Sequence, residues 1–373
     1  MKVGILSMQR IANYGSFLQA YGLKHILEDL GCEVQFVDYH PGRTLLPPDG
    51  GRGWKRKICK VLEVFRYHAP FKEKLKFIQY KKNYATNYYP YLGLGEMNYA
   101  PRLDLLVIGS DEVFNCVQNN TNVGFSPELF GVGNHAKKVI TYAASFGNTT
   151  IDKLKKYGVD QQIAFWLQDI NSISVRDKNS GHMVYELTGE EVIYNLDPVL
   201  IYDFVKKCSD IPSSVGEEKY MILYGYAGRF RKEECKAIRG YAESKGLKIF
   251  CIGGVQDICD KFIDCNPFEV IAYFQHAECV VTDTFHGTIL SVITERSFVS
   301  LVRSQGYGNR EKMMDLLERL GLEERVLMDL SALEEQLSCP IDYKSVASIL
   351  TDERRKAYEY LRTFTSVCDT EFT

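Results

Sequence analysis

The stretch Cys279-Val280-Val281-Thr282-Asp283-Thr284-Phe285-His286-Gly287-Thr288-Ile289 carries the residue types best suited to chemistry. An apolar strand runs through a polar turn into a new apolar segment, Ile289 to Ile293. A strand, a tight turn and a helix start present backbone N–H groups and partial positive charge to an anion. His286 adds a group that moves protons near neutral pH. Thr284, Gly287 and Thr288 add hydroxyls and a close-approach backbone. The structural alternative is that Asp283 or Thr284 caps the helix and His286 packs. Three further polar clusters sit at predicted strand ends or helix starts: Asn13-Tyr14-Gly15, Gly109-Ser110-Asp111-Glu112, and Arg176-Asp177. Arg176 and Arg310 are candidate anion clamps, because a guanidinium binds bidentately where an ammonium does not. Arg176 also has Asp177 and Asp197 as candidate ion-pair partners.

The elements that must hold these residues alternate between strand and helix. Val3 to Leu6 reads as a buried parallel strand. Phe17 to Leu30 is apolar at helical spacing and stops at Gly31, and Val34 to Asp38 is the next strand. This βαβ opening lacks a G-x-G-x-x-G fingerprint. Strands follow at Leu103 to Ile108, Val139 to Ser145, Ile173 to Asp177 and Val192 to Tyr194, with one helix from about Ile151 to Leu167. Residues 203 to 219 read as a linker. A second series then starts at Tyr220 to Tyr226, with strands at Lys248, Val280 and Phe298 and helices at 231–244, 268–275 and 310–320. The pattern predicts an α/β chain of two Rossmann-like domains with mostly parallel sheets facing across a cleft. The expected boundaries are 1–203, with a helical insertion at about 40–100, then 204–342, then a C-terminal helix within 343–373 that packs back on the first domain.

Composition bounds the function. The chain has 373 residues, 45% hydrophobic and 25% charged, as in globular proteins. A net charge of -3 gives no global field for nucleic acid. The 11 cysteines are scattered, with no C-x-x-C pair, which argues for reduced thiols and a cytoplasmic location. No metal-ligand spacing is present. No run approaches the roughly 18 apolar residues of a membrane helix. From Arg52 to Lys82 there are 11 basic and 2 acidic residues. That segment reads either as a solvated helix pair or as a peripheral contact with the inner face of the cytoplasmic membrane. Phe71, Leu75 and Ile78 predict its second helix, after Pro70.

Seven motifs then appear in one order: Asn13 to Tyr21, Gly109 to Asn115, Tyr142 to Gly147, Ser174 to Asp177, Leu196-Asp197-Pro198, Thr282 to Thr288, and Asn309-Arg310. Together they make the chain resemble the polysaccharide pyruvyl transferase family over residues 1 to about 320. The resemblance implies a fold like the GT-B glycosyltransferases. It also implies phosphoenolpyruvate as co-substrate, no cofactor, and a glycan or lipid-linked sugar as acceptor, giving a pyruvate ketal and phosphate. On that reading His286 is the general acid or a phosphate contact, and Asp111 takes the acceptor proton. The donor-binding set is Arg176, Arg310, Thr284, Gly287, Thr288, Asn13, Gly15 and Ser110. The sequence departs from the family pattern at Phe285, where no Arg stands beside the His, at Phe114 in place of Trp, and at Glu112 in place of Gln. Two other functions fit the same architecture: a nucleotide-sugar-dependent glycosyltransferase, and a non-catalytic glycan- or anion-binding protein.

Overall fold

Each half of the chain builds its own parallel sheet. The computed structural model describes residues 1–47, 68–303 and 310–366. Its first sheet takes strands β1 (Lys2–Leu6), β2 (Glu33–Phe36), β3 (Arg102–Ile108) and β4 (His135–Thr141) in the order β2-β1-β3-β4, all parallel. Bridges from Ile140 to Ser172 and from Ala144 to Val175 continue it into β5 (Ser174–Val175) and β6 (Ile193–Tyr194). The second sheet takes β7 (Tyr220–Tyr224), β8 (Lys248–Ile252), β9 (Lys261–Phe262), β10 (Val280–Thr282), β11 (Phe298–Leu301) and β12 (Val326–Leu327) in the order β12-β11-β10-β7-β8-β9, again all parallel. β7, β10 and β11 are buried along their whole length. Strands buried on both faces need the unbroken apolar runs seen here.

Three predicted elements differ. The run from Ile151 to Leu167 is two helices, Ile151–Tyr157 and Asp160–Gln168, because Gly158 adopts φ +66° and caps the first. The fourth strand starts earlier and ends earlier than the Val139 to Ser145 expected. The insertion helix begins after Pro70 as expected and spans Phe71–Leu92, but it buries Phe77, Tyr80, Tyr84, Tyr88 and Leu92, while Leu75 and Ile78 face outward. The first part of the basic segment, 52–67, lies outside the described residues.

Two helices of the first domain close the halves on each other. Phe17 and Tyr21 of the Tyr14–Asp29 helix meet Phe268 edge-on at 5.9 and 5.1 Å. The insertion helix reaches the second sheet, where Phe77 packs on Phe262 at 5.4 Å and the Glu73 carboxylate accepts the Phe262 N–H at 2.8 Å. Each such ring pair adds about 1 kcal/mol beyond its buried area. The Tyr343–Thr365 helix runs back over the first domain, where Tyr360 Oη donates to the Thr141 carbonyl at 2.8 Å and Tyr358 Oη to Asp29 at 3.0 Å.

Candidate active site

An open parallel sheet binds ligands beyond the carboxyl ends of its strands, where the strand order reverses. In the first sheet that point lies between β1 and β3, and in the second between β7 and β10. The two points face each other across a cavity of about 510 Å³. Asn13, Ser16, Asp111, Glu112 and Arg176 line it from one domain, and Tyr226, Arg229, Thr284, His286 and Lys312 from the other.

His286 is placed by tight local chemistry. Thr284 caps the Phe285–Ile293 helix, its Oγ1 accepting the Gly287 N–H at 3.0 Å. Gly287 carries no Cβ because one there would overlap Thr282 Oγ1. Thr288 is fully buried, and its hydroxyl pairs with Ser300 Oγ at 2.7 Å. So Thr284 lines the cavity, whereas Gly287 and Thr288 shape the turn behind it. The turn delivers the imidazole onto Gly15 of the other domain, where any Cβ would overlap the ring. Gly15 is thus the clearance for His286. Beside it Asn13 Oδ1 accepts the Gly15 N–H at 2.7 Å and Asn13 Nδ2 donates to Tyr226 Oη at 3.0 Å, a bond across the cleft.

Behind His286 stands Asp197, the cap of the short Pro198–Ile201 helix. Its Oδ2 is 3.6 Å from His286 Nε2, just beyond hydrogen-bond length. The same oxygen accepts Arg176 Nη1 at 2.9 Å and Ser110 Oγ at 3.2 Å. Burial works against ionisation of this carboxyl. The facing His286, the Arg176 guanidinium and the Val199 N–H outweigh it and hold the pKa at about 2. Arg176 Nη2 reaches Asp111 Oδ1 at 3.4 Å, and the guanidinium lies over the Phe285 ring at 4.4 Å. Asp111 takes a second contact, Ser16 Oγ donating to its Oδ2 at 2.7 Å, and holds φ +69° at the strand end. Backbone strain of this kind clusters at working sites.

The geometry revises the expected donor clamps. The Arg176 side chain is 1% exposed and both its Nη groups are engaged by carboxylates. It organises the floor of the cavity rather than reaching into it as a free clamp. Ser110 is fully buried, its hydroxyl shared between the Ala143 carbonyl and Asp197. Arg310 opens the Arg310–Leu320 helix as an exposed residue outside the cavity lining, and Asn309 lies outside the described residues. The cation that helix contributes to the cavity is Lys312, paired with Glu112. On the other rim Arg229 Nε is 2.7 Å from Asp283 Oδ2, which also accepts Arg303 Nη1 at 2.6 Å. Sequence reasoning missed Asp197 and Lys312 as site residues. Asp197 was legible as an ion-pair candidate for Arg176, while Lys312 carried no signal on a highly charged helix. Among the described residues no cluster of His, Cys, Asp or Glu is placed to hold a metal ion.

A family model described as polysaccharide pyruvyl transferase matches residues 13–305. No curated protein matches the sequence. Solved structures that resemble the chain include a Thermobaculum terrenum O-GlcNAc transferase at 12% identity and TM-score 0.42, covering 98% of this chain and 65% of that one. The chain therefore spans about two thirds of that protein's length. A Methanocaldococcus jannaschii UDP-GlcNAc 2-epimerase follows at 11% identity and TM-score 0.49, covering 98% and 99%. Acinetobacter baumannii MurG follows at 10% identity and TM-score 0.41, covering 98% and 99%.

Proposed function

The chain belongs to the polysaccharide pyruvyl transferase family and is a transferase, and from that premise we propose that it moves the enolpyruvyl group of phosphoenolpyruvate to a sugar of a cell-surface polysaccharide or its precursor. The observation that carries this reading is His286, seated between Gly15 and Asp197 where the two strand-order reversals meet. Phosphoenolpyruvate is a small, highly charged anion. Lys312 and the starts of the Tyr14–Asp29 and Phe285–Ile293 helices offer it positive charge in one cavity, which His286 also lines.

In this mechanism His286 gives a proton to C3 of the donor as one acceptor hydroxyl adds to C2. Asp111 takes the proton of that hydroxyl, with Ser16 and Arg176 fixing its two oxygens. A second hydroxyl of the same sugar then displaces phosphate from C2, its proton leaving with the phosphate. The products are a cyclic pyruvate ketal and inorganic phosphate. Asp197 orients the imidazole.

The acceptor reading extends to a lipid-linked sugar met at a membrane surface. No helix among the described residues is long and apolar enough to cross a membrane. The insertion helix does present Leu75 and Ile78 outward beside Lys72 and Lys82, a face suited to an anionic interface.

The test is phosphate release from phosphoenolpyruvate with a panel of glycan acceptors, run alongside calorimetric titration with phosphoenolpyruvate and with UDP. Acceptor-dependent phosphate release supports the reading. Binding of UDP with none of phosphoenolpyruvate transfers it to nucleotide-sugar chemistry.

A further inference from the structure

Three cations that line the cavity already hold a carboxylate. Arg176 is bound by Asp111 and Asp197, Arg229 by Asp283, and Lys312 by Glu112. Lys81 also lines the cavity, its Nζ donating to the Ala12 carbonyl at 3.1 Å, but an anion that takes Arg176, Arg229 or Lys312 competes with an internal one.

The internal anions differ in their freedom to leave. The Asp197 and Asp283 side chains are 0% and 1% exposed; Asp197 faces Arg176 and His286, and Asp283 faces Arg229 and Arg303. Asp111 is held at both oxygens, by Ser16 and Arg176. Glu112 is 32% exposed, has a longer side chain, and pairs with a lysine of the other domain. Among the described residues its other side-chain hydrogen-bond partner is Asn115 Nδ2, at 2.7 Å, which meets Oε2 and leaves Oε1 to Lys312. The seat is shaped for this carboxylate. Gly147, at φ +55°, has no Cβ, and a Cβ there would stand 2.6 Å from Glu112 Oε2 and 2.7 Å from Asn115 Nδ2.

We propose that Glu112 is a displaceable placeholder for the substrate's phosphate: it occupies Lys312 in the empty cleft and yields that ammonium to the entering donor, so that it sets donor affinity. This rests on the reading of the cavity as a site for a phosphorylated donor. Displacement lowers apparent affinity, since only the fraction of protein with Lys312 released binds at full strength. It also limits adventitious binding, because an anion that does not match Lys312 and His286 together fails to repay the lost ion pair. The Glu112 carboxyl is opposed by burial but drawn down to about 2 by Lys312, with Arg176 and Asn115 adding to it, so the placeholder keeps its charge throughout the neutral range.

The test is calorimetric titration of wild type, Glu112→Gln, Glu112→Ala and Lys312→Met with phosphoenolpyruvate, and in a second series with UDP. Glutamine keeps the size of the side chain and an acceptor for Asn115 while removing the charge that holds Lys312. Alanine repeats the test without any competing side chain, and the melting temperature of each variant verifies its fold. The expected result is that both Glu112 variants bind the accepted anion about tenfold more tightly or better, while Lys312→Met binds it at least tenfold more weakly. Unchanged or weaker binding in both folded Glu112 variants overturns the placeholder. If wild type takes UDP and not phosphoenolpyruvate, the donor assignment fails, and tighter UDP binding by the Glu112 variants still upholds the displacement. Binding of neither anion by any variant overturns both.

Discussion

His286 Nε2 and Asp197 Oδ2 face each other at 3.6 Å across the boundary between the two domains. The imidazole comes from the turn after β10 of the second sheet, and the carboxylate from the segment after β6 that leaves the first. Neither domain alone has both. The pair exists because the Tyr14–Asp29 helix and the insertion helix fix the domains on one another through Phe268 and Phe262, and because Gly15 leaves room for the ring. The role proposed for this pair needs placement to within about 0.5 Å. Domain packing and chemistry are thus one problem in this protein.

Asp197→Asn tests that dependence. It removes the charge Arg176 needs and leaves a buried guanidinium with Asp111 at 3.4 Å as its nearest anion. Breaking a buried pair from one side costs about 3 kcal/mol or more. We expect a lower melting temperature, and phosphate release reduced by roughly 10²-fold or more as the imidazole loses its orienting group. His286→Asn, by contrast, should lower turnover by roughly 10²- to 10⁴-fold with a smaller change in melting temperature. Equal stability losses in the two variants would contradict this division of roles.

Gly15→Ala separates packing from helix propensity. Alanine favours a helix interior by about 1 kcal/mol over glycine. At this position its methyl overlaps the His286 ring. The expected outcome is a displaced imidazole, with turnover falling at least 10²-fold while circular dichroism still shows the native helical content. Turnover within threefold of wild type would show that the ring accommodates the methyl without leaving its working position.

What could be read from the sequence follows the range of the interactions. The apolar runs at Val3, Leu103, Tyr220 and Val280 gave their strands directly, because burial on both faces is a local compositional demand. β9 and β12 are two residues each, too short for any period to register. His286 stood out because a strand, a polar turn and a helix start adjoin it in the chain. The reason for Gly15 did not, since the ring that requires a glycine there comes from the other half of the molecule. Asp197 reads in sequence as a turn cap, and it is one, accepting the Val199 N–H at 3.1 Å. Its second task, neutralising Arg176, depends on β5 and β6 lying side by side. The insertion helix shows the limit of periodicity. Phe71, Leu75 and Ile78 share a helical spacing, but the aromatic row from Phe77 to Tyr88 buries more surface and wins the inward face.

The outward face of that helix carries its own prediction. Leu75 is 49% exposed, and Lys72 and Lys82 are exposed with it. We expect the full-length protein to co-sediment with vesicles containing anionic phospholipid and to remain in solution with neutral ones. The double variant Leu75→Glu, Ile78→Glu should stay in the supernatant at low salt, since it replaces apolar contact with charge of the wrong sign. Wild-type protein that remains in the supernatant with anionic vesicles would reject the membrane-contact reading and leave the transfer chemistry untouched.

Acid unfolding reads the Asp197 charge without substrate. Its folded-state pKa of about 2 lies below the ordinary carboxyl value of 3.8. A depressed carboxyl stabilises the fold at every pH above its unfolded value, and the contribution disappears as pH falls through the folded one. Asp197 therefore adds about 2 kcal/mol above pH 4 or so, lost between roughly pH 4 and pH 2. Asp283 and Asp315, pushed up by burial, act with the opposite sign, favouring the fold when protonated and losing that contribution as pH rises through their folded values. The wild-type pH profile alone mixes these terms. The difference between wild type and Asp197→Asn isolates one of them. In urea titrations at pH 7, 4 and 3 that difference should be nearly constant from pH 7 to pH 4 and shrink at pH 3. A difference that grows on acidification would mean that the Asp197 carboxyl is protonated in the folded protein, and the imidazole would then face a neutral acid rather than an anion.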